Sequence, residues 1–130
     1  MKNHHISIKR VFEPASEDDG YRILVDRLWP RGLKKEEAYI DKWLKDIAPS
    51  TSLRKWFNHE PEKWSAFEWR YKEELKSNPA TDTLIKIITE HPRITFIYAA
   101  ANQEHNHAIV LTDFLIEIDK LVPLHVFQQP

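Results

Sequence analysis

The segment 26–32, which reads DRLWPRG, contains a carboxylate, two guanidinium groups and an indole. Arg27 and Arg31 carry planar cations that match a carboxylate or a phosphate, and Trp29 offers a ring face on which a flat ligand can stack. We predict that Arg27, Trp29 and Arg31 bind a ligand and that Asp26 acts in catalysis. The alternative is that Asp26 and one arginine form a structural ion pair that holds the turn.

A second group of polar and aromatic residues occupies positions 54–59. Arg54 is predicted to bind the ligand, and His59 is predicted to transfer protons. Arginine and histidine interleaved with aromatic rings are typical of pockets that stack a base. The alternative is a buried aromatic cluster, and we expect Trp56 and Phe57 to lie mostly in the core.

A third group follows an apolar run at 94–101. Asn102 is expected to cap a long helix, whose free backbone N–H groups would favour an anion. His105 is predicted as a general acid or base, and Asn102 and Asn106 are predicted to bind the ligand. The alternative is simple capping by Asn102, with His105 in solvent.

Metal and cofactor motifs are missing from the sequence. The chain has no cysteine, and His105 and His107 are two positions apart, which on a helix points them to different sides. It has two glycines, Gly20 and Gly32, so it contains no glycine-rich phosphate loop. We therefore predict neither a metal site nor a cofactor.

The elements that must position these groups alternate along the chain. The alternation of strands with helices predicts one three-layer α/β domain, in which a small, mostly parallel sheet is flanked by helices on both faces. Ligands bind beyond the carboxyl ends of such strands, so segments 26–32 and 99–106 should share one mouth. Apolar patterns predict strands at 6–11, 22–28 and 94–101 and helices at 61–76, from 79 to about 91, and after 102, while 34–46 has helical spacing.

Length and charge limit the classes of function. A chain of 130 residues fits a single domain, with its core at about 6–121 and an apolar tail at 122–130. The net charge of −1 argues against a general nucleic-acid coat protein. The arginine and histidine groups at the two strand ends point to a small anionic ligand as the partner. The sequence shows no apolar run long enough to span a membrane or serve as a signal peptide, so we expect a cytoplasmic protein.

Several short strings carry a resemblance that covers about 6–121. The sequence resembles the YeaO-like group of the family called domain of unknown function 488. The resemblance implies a small three-layer α/β fold with a strand at 38–45, against the helical spacing there, and it implies no established activity. After the second alanine pair this chain has Ala101 and Asn102 in place of an acidic residue, which weakens any mechanism that needs a carboxylate there. The matching strings are LVDRLWPRG at 24–32, APS at 48–50, LR at 53–54, WF at 56–57, His59, RY at 70–71, YAA at 98–100 and HN at 105–106.

Three functions from different classes fit these residues. We favour a pocket for a small anionic or nucleotide-like ligand, possessed either by an enzyme or by a binding protein. A nucleic-acid-binding module is the first alternative, with Trp, Arg and Lys between 42 and 76 forming a stacking groove. The second is an interaction protein whose apolar tail docks on a partner or, in a homodimer, on a second copy; the same tail could instead close the protein's own core.

Overall fold

The computed structural model describes residues 5–121 and contains a four-stranded sheet in which every pair of neighbours is parallel. The spatial order of the strands is β1-β4-β2-β3, so β4 lies between two strands that precede it in the chain. The carboxyl ends of all four strands therefore meet at one edge. The strands are β1 His5–Arg10, β2 Tyr21–Leu24, β3 Lys42–Trp43 and β4 Arg93–Tyr98.

α-Helices connect β2 to β3 and β3 to β4, and a further α-helix follows β4. The described α-helices are α1 Lys35–Ala38, α2 Thr51–Phe57, α3 Trp64–Ser77, α4 Pro79–Glu90 and α5 His107–Leu121. Pro61 and Pro79 begin helical segments, where a missing N–H costs nothing. The predicted α/β class, with a small parallel sheet and flanking helices, is confirmed.

The larger core lies between one face of the sheet and helices α2–α5. Alternate residues of the two central strands, Ile23 on β2 and Phe96 on β4, are fully buried in it. The apolar face of α3 packs against these two residues. Tyr71, at the middle of that face, donates its hydroxyl to the Ile47 carbonyl at 2.7 Å. The core residues contributed by α3, α4 and α5 include Phe67, Tyr71, Leu75, Leu84, Ile88, Ala108, Leu111 and Leu115.

A smaller cluster covers the opposite face of the sheet. Leu24 and Ile97, which are fully buried, pack there with Val11. The half-buried Trp29 and Ile40 from the segment between β2 and β3 close this cluster. The sheet is therefore covered on both sides, which makes the domain three-layered.

The segment 34–46 differs from its helical spacing. Only Lys35–Ala38 is α-helical, Tyr39 ends that helix with a φ of 50°, and a 3-10 turn begins at Lys45. The backbone N–H of Asp41 donates to the Arg22 carbonyl, and the Asp41 carboxylate accepts from the Arg22 N–H. These bonds hold the chain against the edge of β2, so the strand implied by the resemblance forms, but only over Lys42–Trp43.

Within residues 5–121, no helix is long and apolar enough to cross a membrane. The tail at 122–130, which we predict to dock on a partner, a second copy or the domain itself, lies outside the described residues.

Candidate ligand-binding site

A cavity of about 750 Å³ opens at the carboxyl ends of β2, β3 and β4. Three stretches form it: the residues that follow β2, the loop and helix α2 that follow β3, and the loop that leads from β4 into α5. Arg27 and His105, which are distant in sequence, line this same cavity. The shared mouth expected from the strand order is therefore present. Of the predicted site residues, the cavity is lined by Asp26, Arg27, Arg54, His59, Asn102, His105 and Asn106.

Positive charge dominates the lining. Arg27, Arg54 and Lys55 face one carboxylate, that of Asp26, whereas the whole chain carries a net charge of −1. The sequence analysis missed Lys55, which follows Arg54 on α2. The cavity thus carries a local excess of positive charge on a nearly neutral molecule.

The Arg27 guanidinium joins the end of β2 to the loop before α2. Its Nη2 donates to the Ala48 carbonyl at 3.0 Å, and its Nε donates to the Pro49 carbonyl at 3.3 Å. Its Nη1 lies 3.9 Å from an oxygen of Asp46, whose side chain is 74% exposed. Because Nη1 makes only this long contact, Arg27 has N–H groups left for a ligand.

Arg54 and Lys55 extend from α2 into solvent at the cavity. Within the part of the chain that the structure describes, neither side chain has a hydrogen bond or an ion pair. Both cations are therefore free to meet an anion.

Helix α2 begins with a cap that ties it to α3. The hydroxyl of Ser50 accepts from the Leu53 N–H at 3.1 Å. The same hydroxyl donates to Glu74 on α3 at 2.6 Å, and the Ser50 N–H donates to the other Glu74 oxygen at 2.9 Å. The cap thus determines where α2 presents Arg54 and Lys55.

Aromatic rings form one wall of the cavity. The ring centroids of Phe57 and Phe67 are 4.6 Å apart, and those of Trp64 and His105 are 4.8 Å apart. His59 lies at the edge of this wall, 6.3 Å from the Phe57 ring. The wall gives a flat ligand a surface for stacking.

Trp56 does not line the cavity. The guanidinium carbon of Arg70 lies 4.1 Å from the centroid of its ring, and the Lys63 ammonium lies 5.0 Å from it. The half-buried Trp56 therefore packs against the larger core and takes part in a cation–π cluster outside the cavity lining.

The loop between β4 and α5 differs from the sequence prediction. The side chain of Asn102 accepts from the N–H groups of Glu104 and His105, so it closes a turn and does not cap the helix. Asn106 takes that role, because its side-chain oxygen accepts from the Ile109 N–H at 3.1 Å and α5 begins at the next residue. The predicted cap was wrong because a shorter turn satisfies Asn102 first. His105 therefore lies on the loop.

Trp29 and Arg31 were predicted to bind the ligand, but they lie outside the cavity. The chain bends at Arg27 and Leu28 and carries the next residues to the opposite face of the sheet. There the Trp29 indole N–H donates to the Leu33 carbonyl at 2.8 Å, while Arg31 is exposed. The bend therefore separates Trp29 and Arg31 from Arg27, although the three residues are neighbours in sequence.

His107, which the sequence analysis considered only as a metal ligand, is the first residue of α5 and lines the cavity. Its Nε2 lies 3.0 Å from the Val25 carbonyl oxygen and 3.2 Å from Oδ1 of Asp26. The other oxygen of Asp26 accepts from the Ala99 N–H at 3.0 Å. The end of β2, the end of β4 and the start of α5 therefore meet at this pair.

Tyr71 on α3 lies beneath the pair, with its ring centroid 6.3 Å from that of His107. Burial, followed by the nearby charges of Glu74 and Asp26, raises the pKa of Tyr71 well above its ordinary value. Tyr71 is thus neutral at ordinary pH and its hydroxyl remains a donor.

The chain matches the sequence profile of DUF488-N3i, described as the inactive DUF488-N3 subclade, over residues 5–121. YeaO of Escherichia coli (strain K12) is 45% identical over 111 residues, which cover 85% of this chain and 96% of YeaO. Rv3073c of Mycobacterium tuberculosis is 38% identical over 115 residues, which cover 88% of this chain and 97% of that protein. No solved structure is significantly similar to the chain. The resemblance drawn from the short strings is confirmed, and the chain belongs to the inactive DUF488-N3 subclade and to its YeaO-like members.

Proposed function

We propose that the cavity binds a small anionic ligand that carries a flat ring, as a mononucleotide does. The observation that carries this proposal is the difference between the positive charge of the cavity lining and the slightly negative charge of the whole chain. Three cations face one carboxylate around the cavity, in a chain whose net charge is −1. Concentrated positive charge in a concave site attracts and holds an anion.

The anionic group would meet Arg54, Lys55 and the Nη1 of Arg27, whose contact with Asp46 is long at 3.9 Å. Hydrogen bonds from charged donors to phosphate or carboxylate are shorter and stronger than neutral ones. Arg54 and Lys55 have no competing partner among the described residues, so the ligand need not break an existing ion pair.

The flat ring would stack on the wall formed by Phe57, Trp64 and His105. Aromatic stacking of a base is worth about 1–3 kcal/mol and tolerates different bases. A volume of about 750 Å³ falls within the range of small-molecule pockets and accommodates a ring together with its anionic group.

Two observations support binding without catalysis. The matching family is described as inactive. The Asp26 carboxylate, predicted as catalytic, accepts the Ala99 N–H with one oxygen and has its other oxygen buried. His59 and His105, also predicted as catalytic, are exposed at the aromatic wall, and we propose that they contact the ligand.

The test is a comparison of arginine variants inside and outside the cavity. We expect mononucleotides such as adenosine 5′-monophosphate to raise the melting temperature of the wild type, because a ligand of the native state stabilises it. Arg54→Ala should weaken the affinity measured by calorimetry about tenfold or more, since a charge-assisted bond is lost. Arg31→Ala removes an exposed arginine outside the cavity and serves as the matched control.

Equal losses in Arg54→Ala and Arg31→Ala would contradict the proposal, as would the absence of any response to mononucleotides, aromatic sulfates and phosphate. Salt-dependent retention of single-stranded oligonucleotides without affinity for mononucleotides would instead support the nucleic-acid-binding alternative.

A further inference from the structure

The His107 ring is held in one tautomer by its surroundings. Its Nε2 faces the Val25 carbonyl oxygen at 3.0 Å and Oδ1 of Asp26 at 3.2 Å. Both of these oxygens only accept hydrogen bonds, so Nε2 must carry a hydrogen. In the neutral ring, Nδ1 is then an unprotonated acceptor, and no described residue donates to it.

Asp26 carries an unsatisfied oxygen on the other side of this contact. Its Oδ1 is buried and has no hydrogen bond among the described residues, because the Nε2–H of His107 is aligned with the Val25 carbonyl. A buried carboxylate oxygen without a donor is costly. A positive charge on the imidazole 3.2 Å away would offset that cost.

Other charges oppose this protonation while the cavity is empty. Arg27 at the end of β2 and Arg54 and Lys55 on α2 are cations that line the same cavity. Tyr71 on α3 faces the ring as a neutral group, and the other two histidines that line the cavity are His59 after α2 and His105 on the loop. A bound anion neutralises these cations, so they no longer disfavour the protonated His107 ring.

Building on the proposed function, we propose that His107 takes up a proton when an anion enters the cavity. The imidazolium is held between Asp26 and the ligand: Nε2–H stays with the Val25 carbonyl and the Asp26 carboxylate, and the new Nδ1–H donates to the anion. The site therefore binds an anion together with a proton, and its affinity for anions rises as the pH falls through the neutral range.

The experiment measures proton uptake directly. Titration calorimetry with 4-nitrophenyl sulfate, in buffers that differ in ionisation enthalpy, reports the number of protons bound per ligand. The sulfate does not titrate between about pH 5.5 and 8.5, so the protein must supply the site of protonation. We expect an uptake between about one half and one proton at pH 7, and an affinity that rises up to about tenfold for each unit of pH decrease.

Four histidine variants locate the proton. His107→Gln keeps an amide donor for the Val25 carbonyl but does not titrate, so the uptake should vanish. His5→Gln changes a histidine on β1 outside the cavity and should leave the uptake unchanged. His59→Gln and His105→Gln test the other two rings at the cavity, and loss of uptake in either of them in place of His107→Gln would overturn the inference.

A measurement on the wild-type protein tests the same inference if His107→Gln does not fold. Nitrogen-15 spectra of the complex should show the His107 ring as an imidazolium, with both nitrogens protonated. Binding of the sulfate with no proton uptake, or with a neutral His107 ring, overturns the inference and leaves the proposed function standing. If neither the sulfate nor adenosine 5′-monophosphate binds, both proposals fall.

Discussion

The tautomer of the neutral His107 ring is determined by two oxygens that directly follow β2. The Val25 carbonyl and the Asp26 carboxylate both face Nε2, so the neutral ring must carry its hydrogen there. In free histidine the two tautomers interconvert, whereas these two oxygens select the form that carries its hydrogen on Nε2.

We predict that ligand-free His107 is in the Nε2–H form in its neutral state. Long-range nitrogen–proton correlation spectra of labelled protein, recorded above about pH 8, distinguish the two tautomers. The exposed His5 provides the comparison within the same sample. A His107 ring with its hydrogen on Nδ1 would contradict the hydrogen bond from Nε2–H to the Val25 carbonyl.

At the scale of elements, Ser50 contributes both to the stability of helix α2 and to its position on α3. Ser50 caps the helix through the Leu53 N–H and also donates to Glu74, which ties α2 to α3. The helix has seven residues, which is too short to be stable without such contacts. Because α2 presents Arg54 to the cavity, the cap also supports the proposed ligand contact.

Ser50→Ala should lower the free energy of unfolding by about 1–2 kcal/mol, since both a cap and a charged partner are lost. Urea denaturation followed by circular dichroism measures this change. Ser65→Ala, an exposed position within α3, is the control and should change the stability by less than about 0.5 kcal/mol. Equal effects of the two substitutions would show that the cap contributes little.

At the scale of the molecule, a buried charge cluster joins three strands. The Asp19 carboxylate accepts from Lys9 on β1 and from Arg22 on β2, and its carbonyl accepts from Thr95 on β4. Burial alone would raise the pKa of Asp19, but the hydrogen bonds from Lys9, the Ser16 N–H and Arg22 lower it below its ordinary value.

A lowered pKa in the folded state means that the unfolded chain binds a proton more readily than the native protein. The stabilisation from Asp19 is therefore present above its ordinary pKa of about 3.9 and is lost as the pH falls through the lower folded value. We predict that the urea midpoint of the wild type falls more between pH 7 and pH 3 than that of Asp19→Asn. Parallel curves for the two proteins would contradict this role.

Local patterns in the sequence were enough to predict much of the fold. The apolar run around Phe96 is β4, and the stripe through Tyr71 lies on α3, because burial imposes a period on each element. The helical spacing at 34–46 was misleading, since bonds between Arg22 and Asp41 hold that segment at the edge of the sheet. Hydrophobic periodicity reports which face of a segment is buried and contains no information on hydrogen bonds to residues distant in sequence.

The sequence alone determined that cationic and polar residues follow the ends of β2 and β4, and the rule for parallel strands brought Arg27 and His105 to one cavity. Only the tertiary structure decided which neighbours share it. A bend after Arg27 turns Trp29 and Arg31 away, and the start of α5 brings His107 to Asp26. Spacing along a chain specifies the face of one helix or strand, whereas the contacts of loops depend on how several elements pack together.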